Sequence, residues 1–245
     1  MNKTQAGFID IHCHLLPACD DGPADLNESL KMAARFVESG IKAVIATPHH
    51  IPGTAWAFSA EKIGKNIERL RLAVEEEGIG LEIYGGMEIA LHKNMERGLD
   101  NGVFLALADT DCYLLEPEFQ GLSDDIFHAI DLFRCRQKKV ILAHPERVRI
   151  FQQRPEKLVE LVQDNLVQVQ VNIGSLLGSF GADARKTALW LHKKNVIHYL
   201  ASDAHGEQKR RPPTPALWKK LHGIVGEKLE TYCIVNPGNL LYSRR

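Results

Sequence analysis

The sequence has few cysteines, no long apolar run and almost no net charge. Among its 245 residues are five cysteines, an odd number, and their spacing is not that of a metal-binding knuckle. This usage is typical of reduced thiols and argues against a disulfide scaffold. With 30 basic and 31 acidic residues the net charge is −1, which gives no support to a nucleic-acid or membrane-surface role.

Export and membrane signals are lacking as well. The polar N-terminal residues contain no apolar core of a secretory signal, and no stretch reaches the roughly 20 apolar residues that cross a bilayer. We therefore predict a cytoplasmic protein without membrane insertion. The apolar fraction of 44 % is enough for one sizeable core and argues against a disordered chain.

Two well-known catalytic signatures are missing. The Gly-rich turn that follows the first strand of a dinucleotide-binding sheet is absent. Cysteine-dependent tyrosine phosphatases need a cysteine and an arginine separated by five residues, with a low-pKa thiolate as the nucleophile. The residues six positions past the cysteines include no arginine; they are Cys19, Asp25, Glu118, Ile141 and Asn239. A thiolate mechanism of that kind is therefore unsupported.

What the sequence does contain is a regular alternation of short β-rich runs and helix-like stretches. Seven runs have the composition of strands: 7–14, 42–47, 81–87, 112–116, 140–144, 167–173 and 196–202. Several of them are apolar on both faces, as expected of parallel strands covered by helices. With no linker rich in Pro, Gly or Ser, we predict one domain over residues 1–245, built as a closed or nearly closed α/β barrel. A doubly wound open sheet is the alternative.

Histidines and carboxylates follow these runs where the strands end. His12 and His14 share a face, because side chains two residues apart on a strand point the same way. In a parallel barrel the strand ends meet on one face, where enzymes of this architecture keep their chemistry. The candidate metal ligands are His12, His14, Asp21, His49, Glu88, Glu116, His144, Asp203 and His205. On the residues alone, Asp20 is as good a candidate as Asp21.

The chemistry of this set points to divalent cations and phosphorus. Imidazoles with carboxylates, and without a thiolate cluster, suit Zn, Mn or Fe. The candidates are too many for one ion, so we predict two or three ions, which typically activate water for in-line displacement at phosphorus. Arg147 follows His144 by three residues, and Arg210 and Arg211 follow His205. A guanidinium fork fits phosphoryl oxygens.

Taken together, these motifs resemble those of the polymerase-and-histidinol-phosphatase (PHP) superfamily. Within it, the sequence is most similar to the bacterial CpsB/CapC/YwqE protein-tyrosine phosphatases. The resemblance covers essentially the whole chain and rests on the segments 8–14, 20–22, 46–50, 144–147, 201–205 and 236–237.

The resemblance implies a single distorted (β/α)7 TIM-like barrel of the PHP fold that holds three metal ions, commonly manganese, with Fe or Zn as alternatives. The implied ligand sets are His12, His14, Glu88 and Asp203 for the first ion, Glu88, Glu116 and His144 for the second, and Asp21, His49 and His205 for the third. Arg147 matches a family arginine that contacts phosphate. A second one matches Arg211 if the Arg-Pro-Pro is aligned, or Arg210 if one counts from His205; we take Arg211.

The implied function is that of a metal-dependent phosphomonoesterase. It would hydrolyse phosphotyrosine on a bacterial tyrosine autokinase and so regulate capsule or exopolysaccharide synthesis, through attack by a metal-bridging hydroxide. A histidinol-phosphate phosphatase or another small-molecule PHP phosphoesterase is the first alternative. A metal-dependent amidohydrolase or phosphodiesterase and a non-catalytic regulator are the others. Self-association into an oligomer stays open.

Overall fold

The computed structural model describes residues 7–121, 123–208 and 210–242. The strands are β1 Phe8–Cys13, β2 Ile41–Ala46, β3 His49–His50, β4 Glu82–Gly85, β5 Glu88–Ala90, β6 Cys112–Glu116, β7 Lys139–Ala143, β8 Gln168–Asn172 and β9 Tyr199–Ala201. The α-helices are α1 Leu26–Glu38, α2 Ala60–Glu76, α3 Met95–Asp100, α4 Ser123–Cys135, α5 Arg149–Gln153, α6 Glu156–Gln163, α7 Ile173–Leu177, α8 Ala182–Lys193, α9 Pro215–Val225, α10 Lys228–Glu230 and α11 Asn236–Tyr242. Short 3₁₀ turns span Leu107–Asp109 and Pro145–Arg147, and a π-helical segment spans Thr231–Val235.

The strands form two parallel sheets, in the orders β1-β2-β4 and β3-β5-β6-β7-β8-β9. An isolated parallel bridge between Cys13 and Ala204 links the end of β1 to the segment that follows β9. The predicted α/β class, with helices between parallel strands, is confirmed. Closure of the strands into one barrel stays a prediction.

Two of the predicted strands continue beyond their predicted ends at residues 47 and 87, and each is divided there. β2 is followed by β3 after Thr47 and Pro48, and β4 is followed by β5 after Gly86 and Met87. Proline cannot donate to a strand ladder, which explains the first break. At the second, a Cβ on Gly86 would lie 2.6 Å from a methyl of buried Leu107, so only glycine fits there. Both divided strands pass from the three-stranded sheet to the six-stranded sheet.

Helices pack their apolar stripes against these sheets. On α2 the stripe consists of Ile63, Ile67, Leu70 and Val74, which are all buried. The Ser59 hydroxyl begins the helix by accepting the backbone N–H of Lys62 at 3.3 Å. Burial of each such side chain contributes about 1.5–3 kcal/mol. No helix among the described residues is both long and apolar enough to cross a membrane.

Candidate metal centre and active site

Four fully buried side chains meet at the end of β1, the start of β5 and the segment just after β9: His12, His14, Glu88 and Asp203. Nε2 of His12 lies 3.2 Å from Oε1 of Glu88, and Nε2 of His14 lies 3.4 Å from Oδ1 of Asp203. The two Nε2 atoms are 3.3 Å apart. Ligand atoms that share one ion at about 2.1 Å have neighbours roughly 3 Å away, so these spacings suit a common cation.

A second set shares Glu88 with the first and consists of His49, Glu88 and Glu116. The pairing of β3 with β5 places His49 opposite Glu88, and Nδ1 of His49 lies 3.0 Å from Oε2 of Glu88. His144 lies beside this set. Its Nε2 is 2.8 Å from Oε1 of Glu88 and 3.6 Å from Oε1 of Glu116.

A third set is more open to solvent and consists of His14, Asp21, His49 and His205. Oδ1 of Asp21 lies 3.2 Å from Nε2 of His205 and 3.6 Å from Nε2 of His49. The structure therefore brings all the predicted ligand residues together. It differs from the implied division in two respects. His14 and His49 each belong to two sets, and His144, which was implied for the second ion, lies beside that set rather than in it. That these residues bind metal stays a prediction.

The three sets fit cations chemically. Glu88 Oε2, His49 Nδ1 and His205 Nε2 are buried, and in the described part of the chain their contacts of 3.0 to 3.3 Å with neighbouring candidate ligands lack hydrogen-bond geometry. Buried polar atoms nearly always form hydrogen bonds, so donor atoms packed this closely without them fit a shared cation. Imidazole nitrogens with carboxylate oxygens are the donors that Mn, Fe and Zn accept.

Asp20 is an orienting residue rather than a member of these sets. Its Oδ2 lies 2.6 Å from Nδ1 of His14 and accepts the backbone N–H of His49 at 2.9 Å. Its Oδ1 accepts the N–H of Gly22 at 2.9 Å. The choice that the sequence left open between the two aspartates is thus explained, because Asp20 is turned toward the back of the His14 ring and Asp21 lies beside His205.

Strand β8 contributes a second orienting group that the sequence analysis missed. Oε1 of Gln170 accepts the backbone N–H of His144 at 3.3 Å and lies 3.0 Å from Nδ1 of His12. Nε2 of Gln170 donates to Oδ1 of Asn172 at 2.8 Å, and Nδ2 of Asn172 donates to Asp203 at 2.8 Å. The sequence held one signal for this role: side chains two residues apart on a strand share a face, so Gln170 lies on the same face as Asn172.

Burial and charge act in opposite directions on this cluster. Burial disfavours the imidazolium form of His12, but the charges of Glu88 and Asp203 outweigh burial and raise the pKa of His12 to about 9. Burial also disfavours ionised Glu88 and Asp203, yet the nearby histidines hold the pKa of both carboxyls well below the usual range. The pKa of Glu116 is raised, first by burial and then by the charge of Glu88.

Two site residues have left-handed backbone conformations, His144 with φ 31° and Asp203 with φ 52°. Such values are uncommon outside glycine and store strain, which is often found at functional sites. Both residues come directly or almost directly after a strand, β7 or β9. Each therefore lies where the chain leaves its strand, and its side chain enters the cluster.

Two arginines, Arg147 and Arg210, reach the cluster, and which arginine besides Arg147 contacts phosphate stays a prediction. Nη1 of Arg147 lies 3.3 Å from Oδ2 of Asp203. Arg210 contacts Asp203 at 3.2 Å and Asp21 at 3.0 Å. Arg211, which we had predicted, is exposed and lines a separate surface cavity with Arg35 and other residues. A hydrogen bond of 2.9 Å from the His205 N–H to the Arg210 carbonyl folds the loop so that Arg210 returns to the site.

Comparison with known proteins shows where this site belongs. The family described as "Capsular polysaccharide synthesis, CpsB/CapC" matches residues 8–242. The chain belongs to the CpsB/CapC family. It is 35 % identical over 237 residues to the tyrosine-protein phosphatase YwqE of Bacillus subtilis, covering 96 % of this chain and 91 % of YwqE. CpsB of Streptococcus agalactiae serotype V, also a tyrosine-protein phosphatase, is 26 % identical over 84 % of this chain and 86 % of CpsB.

A solved structure supports the same relationship. It comes from work on YwqE of Bacillus subtilis and CpsB of Streptococcus pneumoniae, which are described as unique metal-dependent tyrosine phosphatases. The TM-score is 0.82 at 33 % identity, and the match covers 90 % of this chain and 89 % of the other. The family resemblance inferred from the motifs is thus confirmed for this CpsB/CapC protein.

Proposed function

We propose that this CpsB/CapC protein is a metal-dependent protein-tyrosine phosphatase that acts in capsular polysaccharide synthesis. The observation that carries the proposal is the group of three overlapping sets of histidines and carboxylates, with two arginines at its edge. Membership of a family whose relatives are tyrosine-protein phosphatases supports the choice of phosphotyrosine over a small phosphate ester.

The residues of the chain have separable tasks in this proposal. His12, His14, Glu88 and Asp203 would hold one ion, and the sets around Glu116 and Asp21 would hold the others. When bound, divalent ions would supply the Lewis acidity that phosphoryl displacement at neutral pH requires. Arg147 and Arg210 would bind the phosphoryl oxygens and offset the charge that develops on them. Phenolate is a fair leaving group, so no dedicated general acid is required.

The proposal extends to the cofactor, the architecture and the partner. We propose two or three ions, with manganese as the metal, in a single domain whose two sheets are parts of one distorted (β/α)7 barrel. The phosphoprotein would be a tyrosine autokinase of polysaccharide export. Cytoplasmic action is consistent with the five cysteines, all of which are free.

The test is hydrolysis of a phosphotyrosine peptide by the manganese-loaded protein before and after exhaustive chelation. We expect phosphate release that chelation abolishes and manganese restores. Histidinol phosphate and a phosphoserine peptide of the same sequence are the comparison substrates. A preference for histidinol phosphate, or activity that survives chelation, would contradict the proposal.

A further inference from the structure

The guanidinium of Arg147 lies between two aromatic rings. Its Cζ is 4.5 Å from the centre of the Phe119 ring and 4.3 Å from the centre of the Phe180 ring. Both distances are well within the range in which a cation is attracted to the face of a ring. Arginine is the cation best suited to this arrangement, because its planar group can stack and still donate hydrogen bonds from its edge.

The two rings come from separate loops, and local structure holds each of them. Phe119 follows β6, and its carbonyl accepts the backbone N–H of Arg149 at 2.9 Å. Phe180 lies between α7 and α8, where it crosses over Gly174. A Cβ on Gly174 would lie 2.7 Å from Cε2 of Phe180, so the absence of a side chain at Gly174 makes room for the ring.

The edge of the guanidinium faces the metal cluster. In the part of the chain that the structure describes, the side-chain hydrogen bond of Arg147 goes from Nη1 to Asp203, and the side chain is 19 % exposed. Arg210 is held differently, by the carboxylates of Asp203 and Asp21, and no aromatic ring of the described residues stacks on it. A carboxylate that restrained Arg147 would occupy its N–H groups. The two rings restrain the guanidinium through its faces and leave the N–H groups other than the one bonded to Asp203 for a phosphoryl group.

We propose that Phe119 and Phe180 are positioning residues that hold Arg147 ready to bind the phosphoryl group. This inference rests on the proposed function, since it assigns a phosphate to Arg147. A flexible arginine must lose rotamer freedom when it binds an anion, and a side chain already fixed by packing loses less. Without either ring, Arg147 would bind phosphate more weakly even though its charge and its hydrogen-bond donors are unchanged.

The experiment measures binding of inorganic phosphate to the manganese-loaded protein by calorimetry, so it does not depend on turnover. Phe119→Leu and Phe180→Leu should each raise the Kd about 3- to 30-fold, and Phe119→Tyr, which keeps the ring, should restore it. Gly174→Ala should also raise the Kd, because the added methyl group would displace the Phe180 ring. Phe127→Leu is the matched control; its ring lies 5.8 Å from Nζ of Lys157, and its removal should leave the Kd unchanged.

A double-mutant cycle separates positioning from direct contact. In an Arg147→Ala background, Phe119→Leu should change the Kd by less than about twofold. A full effect there would overturn the proposal, and so would a wild-type Kd that Arg147→Ala leaves unchanged. A raised KM for phosphotyrosine peptide with an unchanged phosphate Kd would also overturn it, because Phe119 would then touch the substrate ring. Protein that binds phosphate through Arg147 but fails to hydrolyse phosphotyrosine would contradict the proposed function alone.

Discussion

Oδ2 of Asp20 lies 2.6 Å from Nδ1 of His14, while Nε2 of the same ring lies 3.3 Å from Glu88 and 3.4 Å from Asp203. A carboxylate on one imidazole nitrogen fixes the tautomer and directs the other nitrogen toward a metal. The negative charge of Asp20 is itself maintained by the contact, because the charge of His14 outweighs burial and lowers the pKa of the carboxyl.

Asp20→Asn should weaken metal binding by about 10- to 100-fold, as loss of such an orienting carboxylate typically does. The measurement is the manganese Kd from competition with a chelator. Asp131→Asn is the control, because Asp131 is exposed and forms only a surface ion pair with Arg134. If both variants retained the wild-type Kd, Asp20 would have no orienting role.

Gln170→Leu should weaken metal binding and also destabilise the fold. The leucine removes the acceptor for the Nδ1–H of His12 and leaves the His144 N–H without its partner, which costs about 1–3 kcal/mol. Imidazole ¹⁵N shifts should report a changed tautomer at His12. Gln168→Leu on the same strand is the control, since Gln168 instead accepts the hydroxyl of Tyr199. Unchanged His12 shifts in Gln170→Leu would contradict this account.

Arg210→Ala and Arg211→Ala should behave differently. Loss of Arg210 should lower kcat/KM for phosphotyrosine peptide by about 10- to 100-fold, the effect of losing hydrogen bonds to a charged group. Loss of Arg211, which is exposed, should change it less than about twofold. Steady-state kinetics on the two purified variants makes the comparison. A larger fall in kcat/KM for Arg211→Ala than for Arg210→Ala would instead make Arg211, the arginine of the Arg-Pro-Pro segment, the one that contacts phosphate.

Metal removal should lower thermal stability. An ion present at 100 times its Kd stabilises the folded chain by about 2.7 kcal/mol per site. For a chain of this size that corresponds to a fall of about 5–10 °C in Tm for each site emptied. Thermal melts with manganese and with chelator give the comparison, and Glu88→Gln should show a much smaller difference. Equal melting temperatures for the wild type would mean that the cluster does not hold ions in the folded state.

The clustering of the candidate ligands could be predicted because each stands directly after an apolar run or in a short motif that follows one. His12, Glu88 and Asp203 needed no knowledge of packing, only the rule that parallel strands present their ends on one face. The metal-site choice of Asp21 over Asp20 could not be derived from the residues. Both follow the same turn, and the position of His205, far along the chain, distinguishes them.

Other features depended on geometry that the sequence does not encode locally. The position of Arg210 beside Asp203 and Asp21, and of Arg211 away from them, depends on how the loop after His205 folds back, with a hydrogen bond from the His205 N–H to the Arg210 carbonyl. Gln170 carries no charge and has no motif, so its role follows only from the residues across the strand. The breaks after β2 and β4 were hidden because Pro48 and Gly86 lie within or beside otherwise regular β-rich runs.

Because of those breaks, the candidate metal ligands come from both sheets. His12 and His14 stand at the end of a strand in the three-stranded sheet, whereas His49 and Glu88 lie in the six-stranded one. Backbone hydrogen bonds join the end of β1 to the segment after β9, from His14 N–H to the Ala204 carbonyl at 2.9 Å and from Asp203 N–H to the His12 carbonyl at 3.0 Å. Ions held by His12 and His14 together with His49 and Glu88 would add a further link between the two sheets. Chelation should then accelerate amide hydrogen exchange in β1 more than in β7. The metal centre would thus also stabilise the position of the N-terminal strand.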